Sequence, residues 1–159
     1  MAHRLRTAGP EFAENAPVRL LFTAVLSAPP EAVYRALAEE TEAWPRWFTA
    51  VRRARPLDGG ARREIRLVGG TRFLETVIVS EPARRYAYRI DETNVPGARA
   101  WVEDWDLEPA GTGTRLHWTF AVDGPRGFRL AARLARPGIH RSFRDAARNL
   151  ERRLASARA

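Results

Sequence analysis

A chain of 159 residues with 27 arginines, no lysine, no cysteine and a net charge of +8 is long enough for one domain with a real core. The lack of cysteine excludes a disulfide framework, a thiolate metal site and a cysteine nucleophile, and no apolar run approaches the roughly 18 residues of a membrane helix. The charge is uneven: residues 1–125 carry 17 arginines against 17 acids, whereas residues 126–159 carry 10 against 2, so the excess sits in one terminal segment able to attract phosphates or an anionic surface.

In chain order, "MAHRLRTAGPEFAENAP" lacks the apolar stretch of a signal peptide. Residues 1–16 read as a flexible leader, residues 17–159 as a single domain, and the chain as cytoplasmic. "VRLLFTAVLS" (18–27) is apolar and β-branched enough for a strand. "APPEAVYRALAEE" follows as a helix, with prolines suited to its first turn and Glu31 to its positive end. "TEAWPRWF" reads as a second, shorter helix limited by Pro45. One of its tryptophans, Trp44 or Trp47, plugs the core; the other borders a pocket. Five further strands are expected at 49–57, 61–69, 72–80, 84–91 and 99–108, and another at 114–122. Gly59-Gly60, Gly69-Gly70, Glu81-Pro82-Ala83 and "AGTG" supply turns. Short strands and short turns imply an antiparallel meander. The end is helical: a piece over 127–136, anchored by Phe128, Leu130 and Leu134, breaks at Pro137-Gly138. Ile139, Phe143, Ala146, Ala147, Leu150 and Leu154 then mark a long amphipathic helix. The expected class is α+β: a seven-stranded curved antiparallel sheet, two short helices after its first strand, and a long C-terminal helix as its cover.

The stretch "RAWVEDWDLEP" (99–109) fixes a register. Pairing Glu108 with Arg115 sets Leu107 opposite Leu116, Trp105 opposite Trp118, Glu103 opposite Phe120 and Trp101 opposite Val122. Two apolar patterns agree in this alignment and would clash if it slipped by one residue. The outer face then carries Asp104, Asp106 and Glu108, and reads as wet. The inner face carries Trp101, Trp105, Trp118 and Phe120, with Glu103 among them. Phe73 and Glu75, Tyr86 and Tyr88, and Ile65 and Leu67 join from the preceding strands, and Phe143 faces them from the last helix. Such an aromatic wall with few polar groups suits a hydrophobic ligand. An unpaired buried Glu103 would hold its proton toward neutral pH and serve as a general acid for enolisation or dehydration. Alternatively it lies in water at a strand end, or pairs with an inward arginine. Glu75 has the same alternatives. His3, His117 and His140 share no metal-binding spacing, no phosphate-binding glycine loop occurs, and no cofactor or DNA partner is expected.

"SAPPEAVYRALAEETEAWPRWFTAV" (27–51), "ETVIVSEPARRYAYRI" (75–90) and "EPAGTGTRLHWTF" (108–120) together resemble the START-type helix-grip superfamily, SRPBCC, in its polyketide cyclase/dehydrase-like branch. The resemblance spans about residues 18–157. It implies a sheet wrapped around the last helix with a cavity between them, taking a hydrophobic, aromatic or polycyclic molecule. Cofactor-free cyclase, aromatase or dehydratase chemistry is one expectation. A non-enzymatic lipid or quinone carrier is a second. A ribosome- or RNA-associated module is a third, and it would use Arg141, Arg144, Arg148 and Arg152. The bland reading of those arginines is the solvated face of an amphipathic helix; an anionic membrane is the other polyanion they suit.

Overall fold

The computed structural model describes residues 1–159. One antiparallel sheet carries the fold, with strands β2 (Val18–Leu26), β3 (Val51–Leu57), β4 (Arg62–Leu67), β5 (Arg72–Glu81), β6 (Arg85–Thr93), β7 (Ala100–Ala110) and β8 (Gly113–Asp123). Their spatial order is β2-β8-β7-β6-β5-β4-β3, so β3 through β8 form the expected meander and β2 closes onto the last strand. Between β2 and β3 run a helix α2 (Pro30–Tyr34), a π-helical continuation (Arg35–Glu39) and a 3₁₀ turn (Thr41–Arg46). Pro30 opens α2, where a missing N–H costs nothing. The end is α3 (Arg126–Leu134) and α4 (Arg136–Arg158), broken at Ala135 just before Pro137. No helix is long and apolar enough to cross a membrane.

The inner sheet face, α2, the 3₁₀ turn and α4 enclose one apolar core, in which Phe143, Ala146 and Leu150 of α4 are buried. The β7–β8 register matches the expected one at every position named, from Trp101↔Val122 to Glu108↔Arg115. At its tip Gly113 lies under β2. A Cβ there would stand 2.1 Å from the Leu26 carbonyl oxygen. Gly113→Ala is therefore expected to cost about 2–4 kcal/mol by forcing backbone apart, read as a fall in the urea midpoint; an unchanged midpoint would mean the hairpin tip gives way freely.

Three expectations are corrected. The first 16 residues do not form a loose leader. His3–Arg4 is an eighth strand, β1, paired with β6, so the sheet has eight strands rather than seven. The Leu5 and Arg6 amides donate to the Asp91 and Arg99 carbonyls, both at 2.8 Å. A short helix α1 (Phe12–Asn15) follows, and Ala8 and Ala13 pack on Val102 with Phe12 and Ile78, covering the outer face.

The second correction lies on the same outer face. Asp104, expected in water, is buried. It accepts from Arg85 Nε at 3.1 Å and Nη2 at 2.6 Å, so its charge is paired. Asp106 and Glu108, farther along, are exposed as expected. Third, Leu130 and Leu134 do not anchor α3; they are 57 % and 72 % exposed. Phe128 and Ala132 hold the helix instead, packed against the core while the leucines face away from it.

Candidate functional site

A cavity of about 430 Å³ lies between the inner sheet face and α3 with the start of α4. Its wall is predominantly apolar. Phe73, Trp101, Phe120 and Trp118 come from β5, β7 and β8, with Ile65 and Leu67 from β4. Phe128, Ala131 and Ala132 of α3 and Ala135 at the break close it, joined by Ile139 and Ser142 of α4. Val95 and Pro96, in the loop after β6, complete the rim. The aromatics interlock edge to face: Trp101 meets Phe73 and Phe120 with ring centroids 5.0 Å apart in both pairs. Such rings hold a fixed wall around an open space.

Only three charged side chains line this space: Arg63, Glu75 and Glu103. Strand alternation puts them there. Arg63 precedes Ile65 and Leu67 on one face of β4, Glu75 follows Phe73 on β5, and Glu103 stands between Trp101 and Trp105 on β7. Direct cross-strand pairing then joins Arg63 to Glu75 and Tyr88 to Glu103. Arg63 donates to Glu75 Oε2 through Nε at 2.8 Å and Nη2 at 2.5 Å. Its guanidinium lies 4.3 Å from the Tyr88 ring centroid and 4.5 Å from that of Trp44, a cation–π sandwich. Nη1 has no hydrogen-bond partner and is left to those rings. The Tyr88 hydroxyl donates to Glu103 Oε2 at 2.5 Å, and Trp105 Nε1 donates to that hydroxyl at 3.2 Å. Trp101 Nε1 donates to Glu103 Oε1 at 3.2 Å. The Trp118 indole lies close enough to favour the Glu103 charge but makes no hydrogen bond of its own.

Burial dominates the electrostatics. It pushes the Glu75 carboxyl up to about 7, with Arg63 pulling down and the Glu103 charge pushing up. Burial raises Glu103 as well, against the Tyr88 hydroxyl, the Arg63 charge and the indoles. The Tyr88 phenol is driven well above its ordinary value by the same desolvation. Burial alone would weaken the charge on Arg63, but Glu75 and the flanking tyrosines outweigh it and the guanidinium stays protonated. Two carboxyls thus share one cation, and they release their protons as a coupled pair.

The residues expected at the site divide. Glu103, Glu75, Trp101, Trp118, Phe120, Phe73 and Tyr88 line the cavity. Trp105, Tyr86 and Phe143 do not, and this corrects their expected place. Trp105 is sealed between Trp118, stacked at 5.1 Å, and Trp44, edge-on at 5.9 Å. Phe143 packs on Trp118 from α4, and Tyr86 stands between Tyr34 and Tyr88. Trp44 lines the cavity while Trp47 plugs the core. Arg63 went unrecognised as a site residue, although its spacing of two from Ile65 places it on the inner face. Arg141, Arg144, Arg148 and Arg152 are exposed on α4, the last donating to Asn149 Oδ1 at 3.1 Å.

The sequence model of the family described as polyketide cyclase/dehydrase and lipid transport matches residues 18–155. The chain belongs to this family. This polyketide cyclase/dehydrase-like SRPBCC domain is 33 % identical over 149 residues to an uncharacterised protein of Mycobacterium tuberculosis, covering 91 % of this chain and 89 % of that one. Its fold is similar to that of the protein XoxI from Bacillus cereus, with a TM-score of 0.72 at 15 % identity, covering 89 % of this chain and 99 % of that one. It is also similar to a START superfamily protein from Mycobacterium smegmatis, with a TM-score of 0.69 at 13 % identity over 87 % and 98 % of the two chains. At these identities the structural likeness speaks to the helix-grip fold alone.

Proposed function

We propose that this SRPBCC domain binds a hydrophobic, aromatic or polycyclic small molecule in the cavity between the sheet and α3. The observation that carries the reading is the cavity itself. Its roughly 430 Å³ falls in the range of about 300–1,000 Å³ usual for small-molecule sites. Its walls are aromatic and its charged groups gather at one place, which suits a ring system with a polar end. Bound there, a ligand would be oriented by flat walls on β5, β7 and β8 and by one carboxyl at Glu103.

The test is direct. Nile red, a neutral apolar dye, is expected to bind with a Kd on the order of micromolar and to quench tryptophan emission, since Trp101 and Trp118 face the space. Ala132→Trp places an indole from α3 into the cavity and is expected to weaken that binding at least about tenfold with little change in Tm. Absence of dye binding to the native protein, or equal binding by the variant, would reject the site. Mass spectrometry of whatever copurifies with the native protein would name the physiological ligand.

A catalytic reading has one specific support: Glu103 reaches the cavity and burial favours its protonated form. A carboxyl in that state can donate a proton to a ligand carbonyl during enolisation or dehydration, the steps of a cofactor-free cyclase or dehydratase.

A further inference from the structure

The three charged groups of the cavity do not balance, and they are not equally reachable. Arg63 is 1 % exposed and Glu75 3 %, whereas Glu103 is 9 % exposed. Two nitrogens of the guanidinium are on Glu75 Oε2, and although Nη1 has no hydrogen-bond partner, the rings of Trp44 and Tyr88 lie over the group and leave the side chain 1 % exposed. Glu103 receives only neutral donors, the Tyr88 hydroxyl and the Trp101 indole. No charged side chain from α3, from α4 or from the loop after β6 lines the space to offset it. A ligand end group arriving at the polar end therefore meets a carboxyl rather than the arginine. A ligand carboxylate would be the third acid beside one occupied cation, out of water, where like charges repel strongly.

Resting on the reading of this cavity as the binding site, we infer that Glu103 is a specificity-determining residue: it makes the cavity take uncharged ring systems ending in a hydroxyl or carbonyl, and reject their carboxylate counterparts. A hydroxyl donates to the Glu103 carboxylate, and a carbonyl accepts from the protonated form, so both protonation states accommodate a neutral end group. The carboxylate form repels an anion outright, and the protonated form, although it can donate to one, leaves that charge out of water beside a cation already paired with Glu75. Free fatty acids and aromatic acids are thereby excluded as ligands, while alcohols, phenols, ketones and quinones are admitted.

Three probes with one ring system test this at pH 7.5: 1-pyrenemethanol, 1-pyrenecarboxylate and 1-pyrenemethylammonium, each titrated by fluorescence. The alcohol is expected to bind at least about tenfold more tightly than the carboxylate. In Glu103→Gln, which keeps one acceptor oxygen, puts an amide N–H2 in place of the other and removes the charge, the carboxylate is expected to gain about tenfold relative to the alcohol. Carboxylate binding equal to that of the alcohol in the native protein would overturn the inference, as would an unchanged ratio in the variant. Ammonium binding tenfold tighter than the alcohol would overturn it in favour of a cation site. If none of the three binds, and Nile red does not either, the cavity reading itself fails. If Nile red binds but all three pyrenes bind alike, the cavity reading stands and only the role of Glu103 falls.

Discussion

Arg63→Met is expected to be the most damaging single change in the cavity, lowering stability by about 3–5 kcal/mol at pH 8. The side chain volume is largely kept, so the loss is electrostatic. Glu75, 3 % exposed, would be left beside Glu103 with no cation in the lining. The damage should be smaller at pH 5, where both carboxyls can take protons. The double variant Arg63→Met/Glu75→Leu should recover most of the loss, since replacing both members of a buried pair by apolar groups is often neutral. Urea unfolding of the three proteins at the two pH values decides the matter. A single variant as stable as the native protein, or one whose deficit does not depend on pH, would show that the ion pair contributes little.

The second large effect is on the native protein itself. The Glu75 carboxyl titrates near 7 in the folded state against an ordinary 4.5, so between these values the folded chain binds more protons than the unfolded one. Its contribution to stability is complete below pH 4.5, falls as pH rises, and is gone above about 7. A shift of this size corresponds to roughly 3 kcal/mol across the window. The urea midpoint is expected to fall from pH 5 to pH 8. Glu103→Gln removes one of the three influences that push Glu75 up, the others being burial and Asp91, so the variant should lose less over the same interval and be the more stable protein at pH 8. Parallel curves for the two proteins would refute the coupling between the acids.

How much of this was legible in the sequence depends on what kind of signal each part leaves. The β7–β8 register was readable because two strands each alternate bulky and polar residues, and only one alignment buries both sets. The meander and the terminal helices were readable from turn residues and from three- and four-residue spacing. The N-terminal segment was not. Its attachment rests on main-chain hydrogen bonds from Leu5 and Arg6 and on small side chains such as Ala8 and Ala13. Neither leaves a hydrophobic period. Asp104 was misplaced because an ion pair with Arg85 on the neighbouring strand leaves no hydrophobic period either.

The site shows a different limit. Parity along the strands correctly sets Glu75, Glu103, Trp101 and Phe120 on the inner face, but it cannot distinguish a residue facing open space from one sealed by a neighbour. Trp105 and Trp101 share that face and differ only in what stands above them: Trp44 and Trp118 close over the first, while the second borders the cavity. The same parity rule places Arg63 inward, and an arginine between apolar neighbours on a half-buried strand is the cue for a committed ion pair.

The break between α3 and α4 at Ala135 gives the cavity two physically separate halves, one on the strands and one on the helices. Every charged atom facing the ligand belongs to the strands, where each is locked to a cross-strand neighbour. The opposite wall is made by small side chains of a nine-residue helix. Exchanging Ala131, Ala132 or Ala135 for larger or smaller groups would re-cut the outline of the accepted molecule and leave its chemistry alone. With Glu103 setting functional-group preference as proposed above, a designer could re-cut the accepted shape one alanine at a time and leave that preference in place.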